Sequence, residues 1–254
     1  MPIVRNGIDK QTFTAEGRVA ADGPLRIVIE GSPAVALKGV PEAIAAARAM
    51  VEPAHVTLVA ADRAAADREA AHVDRVLGPL SAERMAELYR ESDVLLKLSR
   101  VEGMAGPPIE AFHCGATVVT TPVTGHDEYI VDGENALVTS WDDERGTARL
   151  LDLLATDREL LARLEAGALA TAAQWPSSAA STAEMANVLA DLAAAPDPDP
   201  GRAAAAMAGE IRATLVAAGA AEREHARLQA RMARVERLMD RWPLRVVRRR
   251  LAGD

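Results

Sequence analysis

Six short apolar runs recur along the first part of the chain, each closed by glycine, proline or a polar cluster. Residues 25–30 (LRIVIE) run into Gly31, Ser32 and Pro33, the pattern of a buried strand that ends in a loop. HVTLVA (55–60), VDRVLG (73–78), DVLLKLS (93–99), ATVVTT (116–121) and NALVTS (135–140) repeat the pattern. Between them lie stretches with helical spacing: 40–50 with Pro41 near the first turn, 81–93 with Ser81 as N-cap, and 107–115 with proline at its start and Gly115 at its end. This alternation predicts an α/β fold, a doubly wound parallel sheet of six strands flanked by helices.

After Trp141 the pattern is purely helical, with two helices broken near Thr156 and a third over about 177–193. AAPDPDPG (194–201) reads as a stiff, solvated linker. Beyond it, Leu228, Met232, Val235, Leu238, Met239 and Trp242 recur at helical spacing among arginines. The predicted organisation is therefore a domain over 1–193, a linker over 194–201 and a basic amphipathic helical tail over 202–254.

Charge sharpens that division. The chain carries −8 overall, but Glu222 to Asp254 holds ten arginines against five acids, leaving about −13 on the rest. An acidic body argues against general nucleic-acid binding. The basic tail has three readings: a coiled-coil partner helix through 222–242, a helix on an anionic membrane surface, or a solvated or docked helix. A single cysteine, Cys114, excludes an internal disulfide and a cysteine-based metal cluster. No apolar stretch approaches a membrane span, and the start MPIVRNGIDK lacks a signal-peptide core. The expected location is cytoplasmic, with attachment to the inner membrane face left open.

Chemistry concentrates in SRVEGMAGPPIEAFHCGATVVTTPVTGHDEYIVDGENALVT (99–139). A strand ends, a loop with Glu102, Gly103 and Gly106 follows, and a helix opens at Pro107 or Pro108. Open α/β sheets bind ligands at the carboxyl ends of their strands. A glycine loop lets a ligand approach the backbone, and a helix N-terminus offers free N–H groups to an anion. Glu102 and Glu110, eight positions apart, are acceptors suited to paired sugar hydroxyls.

EGMAGPPIEAFHCGATVV resembles the Glu–seven residues–Glu segment of glycosyltransferase family 4, retaining enzymes of the GT-B fold. GHDEYIVDGENALV is similar to the family's following stretch, VLGPLSAERMAELYRESDVLL to its base-binding segment, and VRNGIDKQTF to the linker between its two halves. The resemblance covers about residues 3–192. It implies the Rossmann-like C-terminal half of such an enzyme, binding a UDP- or GDP-linked sugar for transfer, with retention, to a glycan or lipid-linked acceptor. It implies no cofactor and no metal. Catalytic roles fall to Glu102, beside the donor sugar, and to Lys38, offsetting charge on the leaving diphosphate. Donor contacts fall to Gly31, to Gly103, Met104, Ala105 and Gly106 through backbone, and to Glu110 at the ribose. Gly78, Pro79 and Leu80 border the base.

Two departures stand out. The family usually places an arginine directly after the first-strand glycine, where this chain has Ser32 and Pro33. Lys97 and Arg100 are candidates to replace that charge. The acceptor-binding half that would precede VRNGID is also missing, so a separate N-terminal half-domain is an expected partner. The plainer readings remain beside these: Glu102 and Glu110 as helix-entry acids, Lys38 as a solvated turn residue, Lys97 and Arg100 as structural charges, His113 and Cys114 as core residues. His126 divides between loop and ligand roles. The expected function is a retaining hexosyl or deoxyhexosyl transfer module; the alternative is a non-catalytic subunit of a split glycosyltransferase that binds a nucleotide sugar or a partner.

Overall fold

A computed structural model describes residues 3–19, 23–194 and 207–213. Six strands form one parallel sheet: β1 (Leu25–Glu30), β2 (Ala54–Val59), β3 (Arg75–Leu77), β4 (Val94–Lys97), β5 (Thr117–Thr120) and β6 (Ala136–Val138). Their order is β3-β2-β1-β4-β5-β6. The sequence runs outward from β1 to β3, returns to the centre at β4 and runs outward again. This is the doubly wound, Rossmann-like arrangement expected from the alternation of apolar runs and helices.

Both sheet faces are covered, as a parallel sheet requires. Side chains alternate along each strand. Val28, Leu95 and Val118 point to a core shared with Tyr89, Ile109 and Phe112. These come from α3 (Ala82–Glu91) and α4 (Gly106–His113). Ile27, Ile29, Leu96 and Val119 point to the other face, against Ile44, Leu151 and Leu154. These belong to α1 (Val40–Arg48) and α5 (Glu144–Thr156). Cys114 lies in the first core, its thiol pushed up to about 12 mainly by burial. It is therefore inert as a nucleophile.

The helix ends follow local chemistry. Ser81 Oγ accepts from Arg84 N at 3.4 Å, capping α3. Asp157 ends α5 and caps α6 (Arg158–Gln174), accepting from Leu160 N at 2.8 Å. A short α2 (Arg63–Arg68) was not anticipated. Its alanine-rich sequence shows no apolar stripe, and Asp62 capping Ala65 N at 3.1 Å starts it. Helix α4 begins at Gly106, one residue before its prolines, so Glu110 sits beyond the first turn rather than on it. Glycine takes the first helical position there and the prolines the next two, where a missing N–H costs nothing.

The segment before β1 is tied to the start of α7 (Ser178–Ala194). Ile8 N donates to Pro176 O at 3.1 Å, and Ser178 N donates to Ile8 O at 2.9 Å. Trp175 Nε1 donates to Asn6 O at 2.8 Å, and the Arg5 guanidinium lies 5.1 Å from the Trp175 ring centroid. By its internal contacts the chain divides into Met1–Ala190 and Asp191–Asp254. In the second unit, residues 207–213 are helical. The linker at 195–201 and the basic stripe at 222–242 lie outside the described residues. Among those described, no helix is long and apolar enough to cross a membrane.

Candidate functional site

The order of strands reverses between β1 and β4, and a crevice opens at the carboxyl ends of such a pair. Glu30 ends β1 and Lys97 ends β4. Gly31 then turns the chain away with φ 140°, its N–H donating to Val59 O at 3.0 Å. A 3-10 turn over Ala36–Lys38 follows, closed by Gly39 at φ 62°. A Cβ on Gly39 would lie 1.9 Å from Leu98 O, so the turn carrying Lys38 lies directly on the backbone leaving β4. Arg100 N donates to Leu37 O at 2.8 Å and closes the same contact.

That contact assembles four charges. Lys38 Nζ donates to Glu102 Oε1 at 2.9 Å. Lys97 Nζ donates to Glu30 Oε2 at 2.7 Å and lies 3.8 Å from Glu102 Oε1. Burial alone would raise the Glu102 carboxyl, but the Lys38 hydrogen bond, the nearby Ser99 hydroxyl and the two lysine charges outweigh it and hold it below the usual range. Ser99 Oγ has no hydrogen-bond partner among the described residues, and the two lysines carry the effect. Glu102 is therefore ionised at neutral pH.

Glu110 is tuned the other way. Its carboxyl is pushed up first by burial and then by the negative charge of Glu30. Among the described residues no donor reaches its side chain. Glu30 thus bears on both glutamates, through Lys97 toward Glu102 and by its charge on Glu110.

Between Glu102 and Glu110 the backbone is left open. Pro107 and Pro108 have no N–H, and the N-cap Ala105 makes no side-chain cap. The amides of Gly103, Met104, Ala105 and Gly106 find no acceptor among the described residues, which leaves them for an anion. A second loop supports this one. A Cβ on Gly125 would lie 2.3 Å from Gly103 O, and the buried Tyr129 hydroxyl donates to Ala105 O at 2.8 Å. Tyr129→Phe is expected to cost about 1 kcal/mol by removing that hydrogen bond; urea unfolding measures it.

The other predicted positions divide. Gly78, Pro79 and Leu80 follow β3 at the same carboxyl edge, two strands from β1. Lys97 is brought to Glu102, but its side chain is 1% exposed. Arg100 is not brought to the glutamate pair: it bonds Asp142 and, at 3.3 Å, Glu42. His126 is buried beside the loop, with Nδ1 3.2 Å from Thr121 O and Nε2 without a partner among the described residues. Burial, first, holds it below its usual pKa and therefore neutral. His113 packs in the α4 face, Nδ1 2.7 Å from Ile109 O.

Two contributors escaped sequence reasoning. Glu30 read only as the end of an apolar run; a charge closing such a run beside a glycine was the available signal. Tyr129 gave none, because its partner Ala105 lies 24 positions away. Among the described residues no group of three or more acids, histidines or cysteines could hold a metal. What the site offers is a run of backbone amides without acceptors among the described residues, a half-exposed lysine and two carboxyl groups of opposite tuning.

The model of the family Glycosyl transferases group 1 matches residues 32–170. A D-inositol 3-phosphate glycosyltransferase of Xylanimonas cellulosilytica is 30% identical over 209 residues, covering 72% of this chain and 50% of that protein. Sucrose-phosphate synthase from Thermosynechococcus elongatus superposes with a TM-score of 0.65 at 23% identity, over 76% of this chain and 53% of that one. Anabaena Alr3699/HepE, solved with UDP-glucose, gives 0.63 at 18% identity, over 75% and 57%. At these identities the two structures establish a shared GT-B-type fold. The chain spans about half the length, or less, of the curated relatives it matches. Because the family match takes in β2 to β6 and both glutamates, over more than half of the sequence, the protein belongs to the glycosyl transferases group 1.

Proposed function

We propose that this chain is the donor-binding half of a retaining glycosyltransferase of family 4, holding a UDP- or GDP-linked sugar for transfer to a glycan or lipid-linked acceptor. The observation that carries the reading is the run of unpaired amides at 103–106, set between an ionised Glu102 and a donor-free Glu110 at the reversal of strand order.

Glu110 accepts the ribose hydroxyls, Glu102 accepts those of the donor sugar, and the amides with Lys38 hold the diphosphate. Gly78 to Leu80 border the base through backbone. The bond from the anomeric carbon to the diphosphate oxygen breaks while the acceptor oxygen bonds on the same face, and the acceptor proton leaves with the diphosphate. Cations and oriented amides stabilise charge growing on that leaving group. Lys38 is 37% exposed and able to turn from Glu102 toward the diphosphate. The names of the glycosyltransferase relatives and the UDP-glucose in Alr3699/HepE support the donor class.

Thermal unfolding with UDP, GDP and their sugar conjugates tests this. A nucleotide at tenfold its Kd adds about 1.4 kcal/mol and raises Tm by about 3–6 °C in a domain of this size. An unchanged Tm across all of them removes the donor-binding reading.

A further inference from the structure

Lys97 is the most deeply buried charge in the site. Its side chain is 1% exposed, and its ammonium contacts Glu30 Oε2 at 2.7 Å, Glu30 O at 3.4 Å and Glu102 Oε1 at 3.8 Å. Such an ammonium is a poor stability device, since an apolar side chain of similar volume does as well or better. It cannot serve as a mobile phosphate ligand either, because it is enclosed at the sheet edge. Lys38 is the opposite case, half-exposed and free to change partner.

We propose that Lys97 is a positioning residue: a fixed counter-charge, anchored on Glu30, that keeps Glu102 ionised and aimed at the donor sugar once Lys38 turns to the diphosphate. The inference rests on the donor-binding reading. The switch point supplies the rigidity. Lys97 ends β4 and Glu30 ends the adjacent β1, and Thr120 Oγ1 donates to Lys97 O at 2.8 Å from β5. The groups bearing on Glu102 are Lys38, Lys97 and Ser99, with His126 and Tyr129 coupled to it at longer range. Of these, only Lys97 is both charged and unable to leave.

The test uses the full chain as wild type, Lys97→Met and the charge-neutral pair Glu30→Gln/Lys97→Met, which leaves no unpaired carboxylate if the single variant fails to fold. The Glu102 carboxyl is titrated by carbon-13 NMR, assigned with Glu102→Gln. Its midpoint is expected to rise by about 1 pH unit in both Lys97 variants, the effect of losing a close opposite charge. Calorimetry then compares UDP with UDP-glucose and GDP with GDP-mannose. The affinity that the sugar adds over the bare nucleotide, each variant's nucleotide serving as its own reference, is expected to fall about tenfold in both Lys97 variants, the loss of one oriented charged acceptor. A Glu102 midpoint that stays put overturns the proposal. So does a pair variant that regains both stability and the full sugar contribution, since Lys97 is then structural only. The titration is read without nucleotide, with Lys38 still on Glu102 in every variant, so it judges the added charge of Lys97 independently of donor binding; a wild type that binds no nucleotide overturns the donor-binding reading instead.

Discussion

Gly39→Ala is expected to destabilise the protein by about 4 kcal/mol, combining a left-handed backbone with overlap against main chain. At φ 62° an alanine is already strained, and its Cβ would lie 1.9 Å from Leu98 O and 2.6 Å from Leu98 C. Both atoms are backbone, so no rotamer change relieves the clash. The Lys38 turn and the strand-end segment leading to Glu102 must separate. Urea unfolding reads the stability loss. The same variant is expected to lose nucleotide binding even where it remains folded, because Lys38 and Glu102 no longer meet. A substitution on an exposed turn glycine such as Gly17, also at positive φ but with nothing within 4 Å of its Cβ, should cost far less.

Glu110→Gln is expected to do two opposite things. It should weaken nucleotide binding by about 2 kcal/mol, roughly thirtyfold, because a carboxylate that accepts a pair of hydroxyls becomes a group with a single acceptor. It should also stabilise the empty protein at neutral pH. An acid whose folded-state pKa lies above its unfolded value costs stability once ionised; the cost is absent at low pH and appears as pH rises through the folded pKa. Glu110 is such an acid, raised by burial and by Glu30. The Tm advantage of Glu110→Gln should therefore be present at pH 7 and shrink as pH falls toward the ordinary carboxylate range. Glu102 has the reverse sign, lowered overall by its lysines, and contributes stability that is lost on acidification. A residue that trades stability for an unpaired acceptor is what a binding site requires.

The strands were legible because a parallel sheet buried on both faces demands unbroken apolar runs, and LRIVIE and DVLLKLS have no other stable home. Ser81 and Asp157 mark helix boundaries through side chains that act within three residues of themselves, a range a sequence exposes. Glu30 and Lys97 were harder. Their contact depends on β4 returning to lie beside β1, 67 positions along the chain, and strand order is not written in local pattern. Lys97 and Arg100, three residues apart, read alike as spare cations. The structure separates them, burying one against Glu30 and sending the other to Asp142 and Glu42. The glutamate pair was legible because both members flank one loop. Their opposite tuning was not, since it comes from the burial of Glu110 in the fold and from Lys38 and Glu30 on a distant turn and strand.

Location of the nucleotide is the most direct test. A crystal structure of the chain with UDP-glucose or GDP-mannose should show the ribose hydroxyls on Glu110, diphosphate oxygens on the amides of 103 to 106, and Lys38 Nζ shifted from Glu102 toward the diphosphate. A nucleotide bound away from the β1–β4 edge, or one at that edge with Glu110 turned from the ribose, would contradict the account.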